Sequence, residues 1–456
     1  MAEYTIEQLR ERTRGPVYTE SDEGYDQARR VYNAMIDKHP RVVVRCQNAG
    51  DVMATVAYAA AHDLDLAVRG GSHSVPGFGT CDDGVVADLG AMNNVRVDPI
   101  TQTARAGGGA TWGDFNAATH AFGLATTGGI ISTTGVGGLT LGGGIGYLDR
   151  GLGLSCDNLI SADVVTADGR FLIASEKEHE DLFWALRGGG GNFGVVTALE
   201  FRLAAVDQIY GGPMLFEMSD AAAVVAGFRD LIRDAPEELG GFPAFQMAPP
   251  LPFIPEDRHG EVFAFIVGCW AGDLGEGEKQ IARFREFAPV VAEHVGAMPY
   301  PALNSAFDGL VPPGLQHYWK ANFVTELTDE AIQAHLQHAP GLPALNSTVH
   351  IYPIDGACHR VPADATAFAY RDANFATVIA GMWPDPAQND AGVDWVRNYY
   401  DAIAPLSESG GYINFMADDD QGRIADNYKD NYSRLVEVKR KYDPDNLFHL
   451  NQNIAP

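Results

Sequence analysis

The chain has 456 residues, 46% apolar, 10% aromatic and 20% charged, which is enough to bury one large core or two ordinary ones and excludes a disordered or fibrous protein. Its 60 acidic residues outweigh 32 Lys and Arg for a net charge of −28, the wrong sign for neutralising a phosphate backbone, so nucleic acid is not expected as a partner. The first 18 residues mix acids and bases without an apolar signal segment, and no window approaches the roughly 18 apolar residues of a membrane span, so a cytoplasmic protein with no membrane partner is expected.

From Pro40 the pattern is β-α-β. Residues 42–46 form a short apolar run, and Asp51 is placed to cap a helix over 52–62 in which Val52, Val56 and Ala59 share a face. Leu66–Arg69 reads as a second strand. Alternating segments at 84–88, 95–98 and 103–106 predict a meander, and 112–122 a helix. Residues 128–153 are too rich in glycine for a cheap regular element. Past Leu203 the texture changes to longer strands such as 262–270 and amphipathic stretches such as 221–233 and 275–287, so a domain boundary is placed near 205. From about 409 the glycine-and-turn texture returns, ending in a helix-like 431–442. An α+β protein is predicted, with one domain at 1–205, a second at 206–408, and a tail at 409–456 recruited by the first. The five cysteines, Cys46, Cys81, Cys156, Cys269 and Cys358, are dispersed without CxxC spacing, so neither a metal cluster nor a disulfide framework is indicated.

Glycine carries the chemistry. Arg69-Gly70-Gly71-Ser72-His73-Ser74 directly follows a strand, where bare backbone can approach an anion that side chains would block, and it adds one imidazole. Residues 130–146 alternate hydroxyls (Ser132, Thr133, Thr134, Thr140) with bare amides over a span long enough to line a pyrophosphate and a flat ring. A third stretch, 183–196, contains a literal GxGxxG from Gly189 to Gly194. It is not a dinucleotide fingerprint of the Rossmann kind, because 195–201 reads as a strand where that motif requires a helix.

At these three elements, and in the tail through Tyr428-Lys429-Asp430-Asn431-Tyr432 and Tyr442-Asp443-Pro444-Asp445-Asn446, the sequence resembles the berberine-bridge-enzyme-like oxidases of the vanillyl-alcohol-oxidase superfamily. The resemblance implies a two-part FAD-binding domain of PCMH type, about 38–205, and an α/β substrate domain whose antiparallel sheet covers the flavin. It implies FAD joined through its 8α-methyl to His73. A second link, found in some members, would use a cysteine at the position of Ile131, so a single covalent bond is expected. Cys156 is read as packed core or flavin wall.

The other implied cofactor contacts are Arg69, Gly70, Gly71, Ser72, Ser74, Thr133, Thr134, Gly137, Gly138, Gly142, Gly144, Asn158, Gly194, Val196 and Asn451. Tyr428 corresponds to the family's base, with Tyr432 as the alternative; a phenol with an ordinary pKa of about 10 would need help to act at neutral pH. In the middle domain, polar–apolar alternation at 317–323 and 350–353 makes Lys320, His350 and Tyr352 the substrate-facing candidates, while Asn414 is not distinguished from a structural residue. The expected partners are a small organic substrate and dioxygen, and no metal. The implied reaction is oxidation of a hydroxyl or amine by hydride transfer to flavin, with oxygen yielding hydrogen peroxide, in a tailoring oxidase of secondary metabolism. The small Thr134 beside the ring leaves oxygen room. An oligosaccharide oxidase, a dehydrogenase with another acceptor and a flavin-binding protein without turnover remain open.

Overall fold

The structure is a computed structural model and describes residues 4–456. The first sheet has the order Val17–Tyr18, Val42–Arg45, Val85–Asp88, Leu66–Arg69, with Val85–Asp88 parallel to both neighbours. All four residues of this strand are buried, as expected for the middle of a parallel sheet, so it joins this layer rather than the predicted meander. Only Val95–Asp98 and Thr103–Gly107 pair as a hairpin. The intervening helix runs Ala49–His62 and is capped by Asn48, whose side chain accepts from the Asp51 amide. Asp51 does not cap. Its carboxylate accepts from the amides of Arg14, Gly15 and Gln47, which ties the N-terminal segment to this layer.

The second sheet is five-stranded and antiparallel, in the order Val95–Asp98, Thr103–Gly107, Val195–Arg202, Leu159–Val165, Phe171–Ser175. Val195–Arg202 emerges from the third glycine stretch as a strand, so the GxGxxG is indeed followed by a strand and not a helix. Within residues 128–153 two short helices form, Val136–Leu141 and Asp149–Leu152, where no regular element is predicted from the glycine content.

The third sheet is large and wholly antiparallel. Its backbone order is Val290–Glu293, Gln208–Phe216, Val262–Trp270, Leu239–Met247, Thr348–Pro353, Phe375–Trp383, Gln316–Val324. One face packs on Ala221–Asp234, Asp329–His338 and Asn389–Ile403 through residues such as Phe245, Ile266, Ile379 and Trp383. The other turns toward the glycine loops. Because side chains alternate across a strand, each strand contributes one set to the helices and the other to the loops.

The tail helix Tyr432–Tyr442 packs against Glu180–Leu186. Lys439, fully buried, donates to the Asn192 and Phe448 carbonyls at 2.9 Å each and to Asp443 at 2.6 Å. Asp443 in turn accepts from the Leu447 and Phe448 amides. Every proton of the ammonium thus has a partner, the condition under which a buried charge is tolerated. The clamp joins the third glycine stretch to the chain's last turn.

Candidate active site

Between the glycine loops and the large sheet lies a cavity of about 350 Å³. Its loop wall includes Gly70, Gly71, Ser72, His73, Ser74, Thr134, Gly137, Gly138, Gly194, Val196 and Asn451. The backbones there meet so closely that side chains cannot be inserted. A Cβ on Gly71 would stand 2.3 Å from the Gly135 nitrogen, and one on Gly135 would stand 2.5 Å from the Gly71 nitrogen. Gly138 and Gly191, by contrast, face open space. Ser72 sits in the left-handed region at φ 68°, a conformation uncommon for a residue with a Cβ, and its buried hydroxyl has no protein partner. The Asn451 side-chain oxygen Oδ1 is likewise buried without one. Bare amides and an unsatisfied serine hydroxyl along one wall are donors of the kind that a dinucleotide's pyrophosphate requires, and the Asn451 oxygen is an acceptor left for the cofactor's own N–H or O–H groups.

His73 stands at the end of this wall. Its Nε2 lies 2.9 Å from Thr133 Oγ1, and its ring stacks on Tyr32 with centroids 3.8 Å apart. Desolvation, with His317 adding to it, pushes its pKa down to about 3, so the imidazole is neutral and keeps one nitrogen lone pair. Tyr32 is anchored by donating to the Val311 carbonyl, and Asp308 accepts from the Ser132 amide and hydroxyl, so the segment around 308–311 closes over the histidine.

The opposite wall is built of alternate residues from five strands: Phe242, Ala244 and Gln246; Phe265 and Val267; Trp319; Thr348, His350 and Tyr352; Val378, Ala380 and Met382. His350 and Tyr352 are two apart on one strand and therefore share its inner face. His350 Nδ1 lies 2.6 Å from the Tyr352 hydroxyl, and Phe242 packs on both rings at 4.7 Å. Burial pushes the His350 pKa down to about 3 and the Tyr352 pKa well above that of an ordinary phenol. Both are thus neutral near pH 7, and in the tautomer with the proton on Nε2 the phenol donates to the imidazole. Its oxygen lone pairs are left for a substrate proton.

Several sequence expectations fall elsewhere. Tyr428 does not line the cavity. It is 1% exposed inside the core that the tail shares with Glu180–Leu186, and its hydroxyl reaches only the Gly189 carbonyl at 3.4 Å. Burial raises its pKa, and the expectation of Tyr428 as base is corrected on position. Tyr432 is stacked beside it.

Lys320 shares a strand face with Tyr318, opposite Trp319, and pairs with Asp419 at 2.8 Å and Asp420 at 2.9 Å on the helix side of the sheet. The Arg69 guanidinium is engaged by Asp88 at 3.0 Å and the Arg30 carbonyl. Asn158 donates to the Leu152 and Leu154 carbonyls, away from the cavity. Thr133 supports His73 rather than bordering the cavity. Gly142 abuts Asn414, and the Gly144 amide donates to the Tyr412 hydroxyl. Cys156 is buried beside Asp157, with its thiol pushed up by burial.

Tyr412 and Asn414 act together, which sequence reasoning did not anticipate. The Tyr412 hydroxyl accepts from the Gly144 and Ile145 amides and from Asn414, whose side chain also donates to the Leu139 carbonyl and borders the cavity. Their i, i+2 spacing after Gly410-Gly411 was the available signal. For Tyr32, which stacks on His73 from 41 positions upstream, none existed.

The family described as "FAD binding domain" matches residues 40–175, and "Berberine and berberine like" matches 411–455. The chain is 30% identical to an FAD-linked oxidoreductase of Dictyostelium discoideum, over 99% of this chain and 97% of that one. It is 32% identical to (R)-6-hydroxynicotine oxidase of Paenarthrobacter nicotinovorans over 97% of each. The crystal structure of 6-hydroxy-D-nicotine oxidase from Arthrobacter nicotinovorans superposes with a TM-score of 0.85 at 27% identity, covering 97% of this chain and 98% of that one. The same fold recurs in a chitooligosaccharide oxidase, with a TM-score of 0.84 at 22% identity over 98% of each chain. No helix among the described residues is long and apolar enough to cross a membrane. The glycine wall, the covering sheet and the tail that completes the site therefore belong to a berberine-bridge-enzyme-like FAD-linked oxidoreductase.

Proposed function

We propose that this enzyme oxidises a hydroxyl-bearing carbon, or an amine-bearing one, of a small organic molecule held between His73 and the large sheet, as a tailoring oxidase rather than an oligosaccharide oxidase. The observation that carries this reading is the His350–Tyr352 pair, 2.6 Å apart on the wall facing the glycine loops. FAD bound along those loops supplies the hydride acceptor and, through dioxygen, the route back to the oxidised state with release of hydrogen peroxide.

The chain's own residues do the rest. Gly70, Gly71, Gly137 and Gly138 offer amides to the cofactor, and Ser72 and Asn451 offer their unsatisfied oxygens. The Tyr352–His350 pair is placed to take up the substrate hydroxyl's proton through the Tyr352 oxygen, the negative charge developing beside it offsetting the desolvation that holds His350 neutral at rest. Phe242, Trp319 and Phe415 exclude water from the exchange. His73, neutral and with Nε2 turned to Thr133, keeps its other nitrogen as the nucleophile for one covalent bond to the flavin. Ile131 borders the cavity without a nucleophile for a second.

Anaerobic mixing of substrate with His350→Ala and Tyr352→Phe tests the proton route. Flavin reduction is expected to slow by roughly 10²–10⁴-fold at unchanged flavin content, and unchanged rates sink the assignment. Colour retained in the acid precipitate, and lost in His73→Ala, tests the link. Reoxidation in aerated buffer within seconds supports dioxygen as acceptor, whereas minutes would point to another.

A further inference from the structure

The cavity has almost no charge of its own. Among the described residues that border it there is no Asp, Glu or Lys, and the single Arg, Arg69, is held by Asp88 at 3.0 Å. The sheet wall opposite the loops presents Phe242, Phe265, Val267, Val378 and Met382, and in its middle the small Ala244 and Ala380, which leave the space. Ala244 lies opposite His350, and Ala380 lies opposite Thr348, so the space opens beside the His350–Tyr352 pair.

Most of the polar groups on this side are already engaged. The Thr348 hydroxyl donates to the Phe245 carbonyl, the Asn346 amide to the Leu310 carbonyl, and the Asn414 amide to the Leu139 carbonyl. Beside the side-chain oxygens of Asn346 and Asn414 there remain the histidine–tyrosine pair, the Gln246 amide, and the indole N–H of Trp319, which is buried without a partner.

We infer that the substrate is an uncharged, mainly apolar ring compound that places one hydroxyl at Tyr352 and offers an acceptor oxygen, a carbonyl or an ether, to the Trp319 indole. This rests on the proposed reading that the substrate lies against the sheet. An ammonium or carboxylate would be taken out of water with no counter-ion to meet it, a loss that an apolar wall cannot repay. A sugar chain brings several hydroxyls per ring, and each one left unpaired weakens binding. A flat hydrophobic ring instead gains from the aromatic and aliphatic wall, and its few polar atoms match the few free partners.

The test uses the flavin-loaded enzyme and four probes: 6-methoxynaphthalene-2-methanol, 6-methoxy-2-naphthoate, 6-methoxy-2-naphthylmethylammonium and cellobiose. Anaerobic titration read by the visible flavin spectrum is expected to show binding of the alcohol, binding of both ions weaker by roughly tenfold or more, and no binding of cellobiose. The inference is overturned if either ion matches the alcohol, if cellobiose binds more tightly, or if the alcohol leaves the spectrum unchanged.

Bleaching of the flavin reports the reaction separately. An alcohol that binds without bleaching leaves the chamber assignment standing and removes the proposed oxidation. Bleaching by the ammonium does the reverse, and bleaching by cellobiose removes both the chamber assignment and the choice of a tailoring over an oligosaccharide oxidase. Gln246→Glu places a carboxylate on the wall at nearly constant shape, and it is expected to strengthen ammonium binding by roughly tenfold. No gain would place the ligand outside this chamber.

Discussion

The two walls of the cavity are made in opposite ways. The loop wall binds with backbone: glycines at van der Waals limits, a serine at positive φ and a tail clamped by a buried ion pair. The sheet wall binds with side chains on a regular scaffold, where every second residue can be exchanged without moving a strand. The first wall therefore tolerates almost no substitution and suits an invariant cofactor. The second can be retuned one residue at a time and suits a variable substrate.

The sharpest break of that contrast is one small added side-chain group on each side. Gly71→Ala forces a carbon to within 2.3 Å of a backbone nitrogen, and it is expected to yield protein without bound flavin, read by absorbance of the purified sample. Ala380→Val, a larger chemical change on the other wall, is expected to retain flavin and to alter only which ring compounds bind. Equal flavin loss in both would erase the distinction.

Lys439→Met removes one half of a fully buried pair and leaves Asp443 unpaired, which is expected to cost about 3–5 kcal/mol in urea unfolding and to loosen the flavin side alone. A loss under about 1 kcal/mol would mean that the clamp is not holding the tail. An effect at least as large comes from protons. Burial pushes His317 and His335 from 6.5 to about 4, so between these values the unfolded chain binds more protons than the folded one. Stability is therefore expected to fall as pH drops from about 6.5 to 4, by roughly 1.4 kcal/mol per pH unit for each histidine. A flat urea midpoint across that window would contradict their buried neutral state. Smallest is Tyr428→Phe, which is expected to change the rate of flavin reduction by less than about twofold, since only a 3.4 Å contact with a carbonyl is lost. A hundredfold loss would return Tyr428 to the chemistry.

Legibility divided along the same line as the walls. The loop wall could be read because glycine is informative on its own: a run of residues without side chains after a strand has few uses other than close approach. His73 was noticed because it stands in such a loop, while its role toward the flavin was implied by the family resemblance. Tyr428 was misplaced because a motif match identifies a segment but not which way its residues turn, and the tail helix turns this one into the core. Lys320 and Trp319 are neighbours on one strand, and alternation alone says that they face opposite ways without saying which one faces the cavity.

Local sequence thus determined the strands, the glycine loops, the excess of negative charge and the likeness to flavin oxidoreductases, since these depend on periodicity and backbone freedom within a few residues. Tertiary structure alone decided the charge-free chamber, the pairing of His350 with Tyr352 at 2.6 Å and the stacking of Tyr32 on His73. Alternation put His350 and Tyr352 on one face, but which face each strand turns inward, and what distant segments bring to it, leaves no trace in the spacing of residues along the chain.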